Sequence, residues 1–216
     1  MPNRKDIADL RLDYQQGSLE IHEVAAHPFE QFNTWFQAAV AAEPSEANAM
    51  ALSTSVNGRP ATRIVLLKDL DESGFVFFTN YESRKGQEIA ANPWVSLTFW
   101  WSKLERQVRI EGKAEKIEAV DSDAYFQSRP RGSRIGAWAS PQSEVIPSRE
   151  VLADKVAELT KTYGEEAPIP RPPHWGGYRV VPDFMEFWQG RSSRLHDRIA
   201  YQLGEDGQWN LSRLAP

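Results

Sequence analysis

A chain of 216 residues, 41% hydrophobic and 25% charged with a formal charge of −5, is long enough for one domain with a sizeable core. The acidic balance argues against general binding of nucleic acid or anionic membranes, while still allowing a local basic pocket. The absence of cysteine excludes disulfides and thiolate chemistry and is compatible with a reducing, cytoplasmic setting; no apolar run approaches the roughly 20 residues of a membrane span, and Met1-Pro-Asn-Arg-Lys-Asp6 lacks the apolar core of a signal peptide.

Residues 1–28 have no strong periodicity and read as a partly ordered arm, with Arg11-Leu-Asp-Tyr14 as a surface turn. Residues 29–216 read as a single domain. Phe29, Phe32, Phe36, Ala39 and Val40 recur at helical spacing, so Pro28–Glu43 is expected to be a helix that buries this stripe. From Ala49 the period changes to strands. Ala49–Ser55 and Arg59–Lys68 flank Asn57-Gly58, a strong hairpin signal. Arg63 and Lys68 bound the apolar Ile64-Val65-Leu66-Leu67 and fall on opposite faces by strand parity, so they serve different groups or different strand ends.

A turn at Asp71–Gly74 leads into a strand over Phe75–Asn80, which carries Phe78 and Thr79. Ser83 then reads as the N-cap of a short helix stopped by Asn92-Pro93. Arg84 and Lys85 fall in its first turn, where the helix dipole disfavours cations. An anion held on the free backbone N–H groups, a phosphate for choice, would remove the conflict. Two exposed basic residues costing a few tenths of a kcal/mol each (about 0.3) would also account for it, and the sequence leaves these two readings level.

Trp94–Trp101 and Leu104–Glu118 form the next hairpin. Both faces of its first strand are largely apolar, which predicts a strand buried on both sides, in a barrel wall or at a subunit interface. Gln107 shares a face with Arg109 and Glu111. Helices are expected over Asp121–Ser128 and Arg131–Ser140. Around the bend between them stand Tyr125, Arg129, Ser133 and Arg134, a donor set that suits a small anionic ligand better than helix-end solvation does. Gln142-Ser143 follows, then an amphipathic helix over Ser148–Tyr163 and a proline-rich connector. Strands over Tyr178–Val181, Phe184–Trp188, Asp197–Leu203 and Trp209–Leu214 complete the chain.

Thirteen residues organise the rest: Glu186-Phe-Trp-Gln-Gly-Arg-Ser-Ser-Arg-Leu-His-Asp-Arg198. If the tail of this stretch is extended, Arg194, His196 and Arg198 form one row, with the two arginines roughly 13 Å apart. Guanidiniums flanking an imidazole repel unless something anionic sits among them. An arbitrary Arg-x-His-x-Arg is a solvated face; here Trp188 and the Gly190–Ser193 turn before it favour a site.

Glu-Phe-Trp-Gln-Gly followed by Arg-Leu-His-Asp-Arg resembles the C-terminal signature of pyridoxine/pyridoxamine 5′-phosphate oxidases, homodimeric split-barrel flavoproteins that use FMN. The resemblance extends from about Arg11 to Pro216. It implies an α+β, mainly β fold, a split FMN-binding barrel with peripheral helices. It also implies oxidation of pyridoxine 5′-phosphate and pyridoxamine 5′-phosphate to pyridoxal 5′-phosphate, with O2 as acceptor and H2O2 as product.

By the same resemblance, Arg194 and His196 hold the pyridine ring and its 3-oxygen, with Arg194 near the reacting carbon. Lys68, Tyr125, Arg129 and Ser133 grip the substrate 5′-phosphate, and Arg11 and Tyr14 fold over the substrate as a lid. The Arg63-Ile64-Val65-Leu66-Leu67-Lys68 hexapeptide lines the flavin, as do Phe78 and Thr79. The helix capped by Ser83 brings Arg84 and Lys85 to the FMN phosphate. Gln107, Gln142, Ser143, Trp188 and Arg198 complete the FMN set, with Gln142-Ser143 donated by the second subunit. Phe78 departs from the family, where Tyr is frequent, so a hydroxyl contact there would be missing.

No dinucleotide fingerprint, P-loop, zinc spacing or nucleophile elbow is present, and the four histidines are scattered, so no metal is expected. A split-barrel flavin reductase or oxidase of another substrate, and a non-catalytic pyridoxal phosphate carrier, are the competing readings.

Overall fold

The computed structural model describes residues 13–43 and 45–216, and the chain divides into two compact units. The first takes in the described residues up to Ala47 together with Thr98–Ile110 and Asp183–Pro216; the second takes in Asn48–Leu97 and Glu111–Pro182. Arg11 lies outside the described residues.

In the second unit, β1 (Ala49–Val56) and β2 (Arg59–Leu66) form an antiparallel hairpin in register Val56↔Arg59. Both turn residues are left-handed, Asn57 at φ 52 and Gly58 at φ 75, the conformation that matches strand twist and that Asn-Gly tolerates. A short strand that the sequence did not signal, β3 (Asp69–Asp71), pairs with β4 (Gly74–Asn80), and β4 pairs antiparallel with the start of β7 (Trp175–Gln189). The Ser83 side chain caps α2 (Arg84–Ala91) by accepting from the Gly86 N–H. A Cβ at Gly86 would collide with the Tyr81 carbonyl, which is why glycine stands there. Helices α3 (Ala119–Ser128), α4 (Arg131–Ala139) and α5 (Glu150–Tyr163) follow, and Phe126, Ile135, Ile169 and Trp175 make a buried cluster.

In the first unit, α1 (Pro28–Ala42) buries Phe29, Phe32, Trp35 and Ala39. Val40, expected in that stripe, is 42% exposed, and Trp35 takes the inward place. Strand β8 (Asp197–Leu203) pairs antiparallel with the end of β7 and with β9 (Trp209–Arg213). Residues of β5 (Trp94–Trp101), β6 (Arg106–Lys116) and β7 fall in both units. The strand order is β2-β1-β5-β6-β7-β4-β3, with β8 on β7 and β9 on β8.

Two expectations are corrected, and a third, for β5, is met on one face within this chain. Two strands were expected at 178–181 and 184–188, but β7 runs unbroken through Pro182. Its pairing with β4 ends at Val180 and its pairing with β8 begins at Phe184, so the missing proline N–H falls where the strand changes partner. Strand β5 is not buried on both faces of the chain: Val95, Leu97, Phe99 and Trp101 are inside, whereas Trp94 and Trp100 are each 48% exposed. An apolar face identifies what can be covered, not what one chain covers. Finally, the stretch before Asp197 is not extended. Ser192–Arg194 form a single tight turn with Ser193 at φ 55 and Arg194 at φ 63, so Arg194 stands outside the row that carries Arg198.

No helix among the described residues is long and apolar enough to cross a membrane.

Candidate functional site

Within the second unit, the end of β2, strand β4, the first turn of α2 and the α3–α4 bend enclose a cavity of about 470 Å³. Lys68, Lys85 and Arg129 line it together with Ile64, Val65, Leu66, Phe78, Thr79, Tyr125, Ser133 and Gln142, and no carboxylate among the described residues does. In a chain with an excess of acids, three cations in one acid-free cavity call for an anionic ligand.

Lys85 comes from the first turn of α2, and its Nζ donates to Gln142 Oε1 at 2.9 Å, Thr79 Oγ1 at 3.1 Å and Ser83 Oγ at 3.4 Å. Its three protons thus meet three neutral oxygens, so the ammonium is held in place but not neutralised. Burial draws its pKa below the ordinary lysine value, Arg63 pushes it further down, and Glu88 opposes both. Arg129 follows α3. Its Nη1 is buried without a hydrogen-bond partner among the described residues, and burial lowers its pKa. Such an orphaned donor is costly unless a ligand meets it. Tyr125 stacks on Phe78 at 3.8 Å and Phe78 on Trp175 at 5.4 Å, giving the cavity an aromatic side. Burial raises the Tyr125 pKa against the pull of Arg129, so this phenol is a neutral donor. Unpaired cations beside flat rings fit a planar aromatic molecule bearing phosphate.

Five of the residues assigned to cofactor in this unit, Arg63, Leu67, Ser83, Arg84 and Ser143, do not line the cavity, and Ser83 is instead buried as the cap of α2. Arg63 is bound to Glu88 at 2.7 Å and to Thr54 Oγ1 at 2.7 Å. Arg84, 63% exposed at its side chain, pairs with the same Glu88 at 2.8 Å. Glu88 keeps its charge: burial acts against ionisation, but hydrogen bonds from Thr54, Arg84 and Arg63 outweigh it and lower the pKa. The dipole conflict at α2 therefore has two resolutions, a carboxylate for Arg84 and the cavity for Lys85. Leu67 is core, and Ser143 is exposed at φ 77.

In the first unit, Trp188 packs against His196 at 4.5 Å and against Tyr14 at 5.8 Å, and Tyr14 reaches His196 at 5.9 Å. A Cβ at Gly190 would strike the Tyr14 ring, so glycine allows this close approach. His196 Nδ1 accepts from the Arg191 backbone N–H at 3.1 Å, which puts the proton of the neutral ring on Nε2. Burial and then Arg194 lower the His196 pKa, with Asp197 opposing. Arg198 grips Glu186, and Gln107 lies on the half-buried face of β6 with Arg109.

The sequence reading missed Glu88, Glu186 and Trp175. Glu88 was legible as the i+4 partner of Arg84. Glu186 was legible by strand parity as a neighbour of Trp188. Trp175 had no local signal, because only the fold brings it to Arg129.

Comparison with known proteins bears on the family and the fold. The family profile described as pyridoxamine 5′-phosphate oxidase matches residues 36–163, and that described as pyridoxine 5′-phosphate oxidase C-terminal dimerisation region matches residues 175–216. A pyridoxine/pyridoxamine 5′-phosphate oxidase of Synechocystis is 61% identical over 97% of this chain and 98% of its own length. One from Paraburkholderia phytofirmans is 58% identical, covering 97% and 99%. Among solved structures, PhzG from Burkholderia lata in complex with tetrahydrophenazine-1-carboxylic acid superposes with a TM-score of 0.87 at 31% identity, over 94% of this chain and all of that one. A pyridoxamine 5′-phosphate oxidase-related, FMN-binding protein from Nostoc punctiforme, 18% identical over 89% of this chain and all of its own, gives a TM-score of 0.70 and speaks for the fold alone.

Proposed function

The chain belongs to the pyridoxine/pyridoxamine 5′-phosphate oxidase family, and on that premise we propose that it oxidises pyridoxine 5′-phosphate and pyridoxamine 5′-phosphate to pyridoxal 5′-phosphate as an FMN-dependent homodimer with a split-barrel fold. The observation that carries the proposal is the acid-free cavity holding Lys68, Lys85 and Arg129. It is lined by residues of both groups that the resemblance separates, one for a cofactor phosphate and one for a substrate phosphate.

FMN, when bound, supplies hydride acceptance from the substrate C4′ and reoxidation by O2, with H2O2 as product. Lys85, fixed by Thr79 and Gln142, holds the cofactor phosphate with an ammonium whose hydrogen-bond partners among the described residues are all neutral. Lys68, Tyr125, Arg129 and Ser133 hold the substrate phosphate, Arg129 contributing the buried donor that has no partner among the described residues. Ile64, Val65, Leu66 and Phe78 offer apolar surface to the rings. The roles of the first unit's residues rest on the resemblance: His196 presents Nε2–H to the 3-oxygen, Arg194 orients the ring near its reacting carbon, and Tyr14 and Trp188 supply aromatic surface. Alignment supplies much of the rate, and no residue is assigned as the general base that takes the proton from the C4′ amine or alcohol.

Oxygen uptake with pyridoxamine 5′-phosphate, with and without added FMN, tests the proposal. Uptake that depends on substrate and rises with FMN is expected. Protein that retains flavin without turnover would instead be an oxidase or reductase of another substrate, and protein that retains none would remove the flavin reading.

A further inference from the structure

Arg129, assigned above to the substrate phosphate, has no side-chain hydrogen bond or ion pair among the described residues, yet a phosphate ligand must keep one position. Its Cζ lies 4.6 Å from the centre of the Trp175 ring and 5.7 Å from that of Phe126. Trp175 is itself fixed. It is 7% exposed, meets Phe126 edge-on at 5.2 Å and stacks on Phe78 at 5.4 Å. Its backbone N–H donates to the Pro172 carbonyl at 3.0 Å, and its carbonyl accepts from Arg171 at 2.6 Å.

A carboxylate would orient Arg129 too, but it would cancel the charge and occupy the fork, as Glu88 does for Arg63. An aromatic face attracts the guanidinium through the ring quadrupole and leaves its N–H donors free. We propose that Trp175 is a positioning residue for Arg129 and thereby sets the affinity of the cavity for the substrate phosphate. The proposal rests on the assignment of Arg129 to the substrate phosphate.

The test compares KM and kcat of the holoenzyme for pyridoxamine 5′-phosphate in the wild type, Trp175→Phe, Trp175→Leu and Arg129→Ala, with melting followed by circular dichroism. Trp175→Leu is expected to raise KM about tenfold with kcat within about twofold, while Trp175→Phe, which keeps a π face, stays within about threefold of wild type. Equal increases for Phe and Leu, or a fall in kcat at constant KM, would overturn the proposal. Where the Leu variant does not fold, fluorinated tryptophan placed at position 175 alone keeps the shape and weakens the π face. A KM that climbs with fluorination then supports the proposal, and an unchanged KM ends it. Arg129→Ala separates the two assignments. A wild-type KM in that variant removes Arg129 from the phosphate site, whereas a raised KM beside an indifferent fluorinated series removes only Trp175.

Discussion

Arg198 grips Glu186 through two parallel bonds, Nε to Oε1 at 2.8 Å and Nη2 to Oε2 at 3.0 Å. Glu186 is 2% exposed at its side chain and accepts a third bond from Arg109 at 3.1 Å, while Arg198 Nη1 donates to the Ala215 carbonyl at 2.8 Å. The bonds to Glu186 raise the Arg198 pKa and absorb much of its donor capacity. Arg198→Ala should therefore cost about 3 kcal/mol of stability, because it leaves a buried carboxylate with one cation. Urea unfolding measures this, and an Arg198→Ala, Glu186→Gln double variant should recover part of the loss. A single variant as stable as wild type would mean that the pair is incidental.

Lys85 gives a pH dependence to cofactor binding. Burial first and Arg63 second hold its pKa below the ordinary 10.5, against Glu88. The ammonium, and the phosphate affinity it provides, are present below the folded pKa and lost as pH rises through it, ahead of an ordinary lysine. Fluorescence quenching of FMN by apoprotein should show Kd weakening in that alkaline window, and Lys85→Met should weaken binding at neutral pH and flatten the profile. A wild-type Kd that holds steady up to 10.5 would remove Lys85 from the phosphate.

Local rules carried much of the fold and part of the site, and their failures have physical causes. The Asn57-Gly58 hairpin, the Ser83 cap and the stop at Asn92 follow from backbone preferences that act within a few residues. The donors around the α3–α4 bend were legible because Tyr125, Arg129 and Ser133 lie within nine positions of sequence, and a bend keeps them together. The row of Arg194, His196 and Arg198 was not, because two left-handed residues in succession override the extended parity on which it depended. Nor could the sequence show that Arg63 faces Glu88 while Lys85 faces the cavity, since both cations are anion ligands by type and only the packing of α2 distinguishes them.

Arg194 is the residue on which turnover should depend most. It sits at φ 63 in the turn before β8, exposed and carrying no ion pair among the described residues. Arg194→Ala should lower kcat/KM by about two orders of magnitude through lost orientation, while the Kd for FMN stays within about threefold of wild type. Arg194→Gly should be as inactive yet more stable than the alanine variant by about 1 kcal/mol, because glycine adopts the left-handed conformation without strain. Wild-type turnover in either variant would remove Arg194 from the site.

His196 should give the enzyme an acid limb. Its Nδ1 accepts the Arg191 N–H, and burial followed by the Arg194 charge lowers its pKa below 6.5, against Asp197. A lowered folded pKa means that the unfolded chain takes the proton first. The stability of the neutral ring is thus complete above 6.5 and declines as pH falls from 6.5 through the folded value. Below that value Nδ1 carries a proton and cannot accept, so the tie between residues 191 and 196 is broken. The KM for pyridoxamine 5′-phosphate should rise there. The substrate phosphate also titrates, near a pKa of about 6, so a wild-type profile alone does not identify the group. In His196→Asn the amide oxygen can still accept from Arg191 but nothing titrates, and dividing the two kcat/KM profiles over about pH 5 to 8 cancels the phosphate. The quotient should fall with pH below the folded His196 pKa. A quotient that stays flat across the range would assign the acid limb to the substrate and leave His196 without a titrating role.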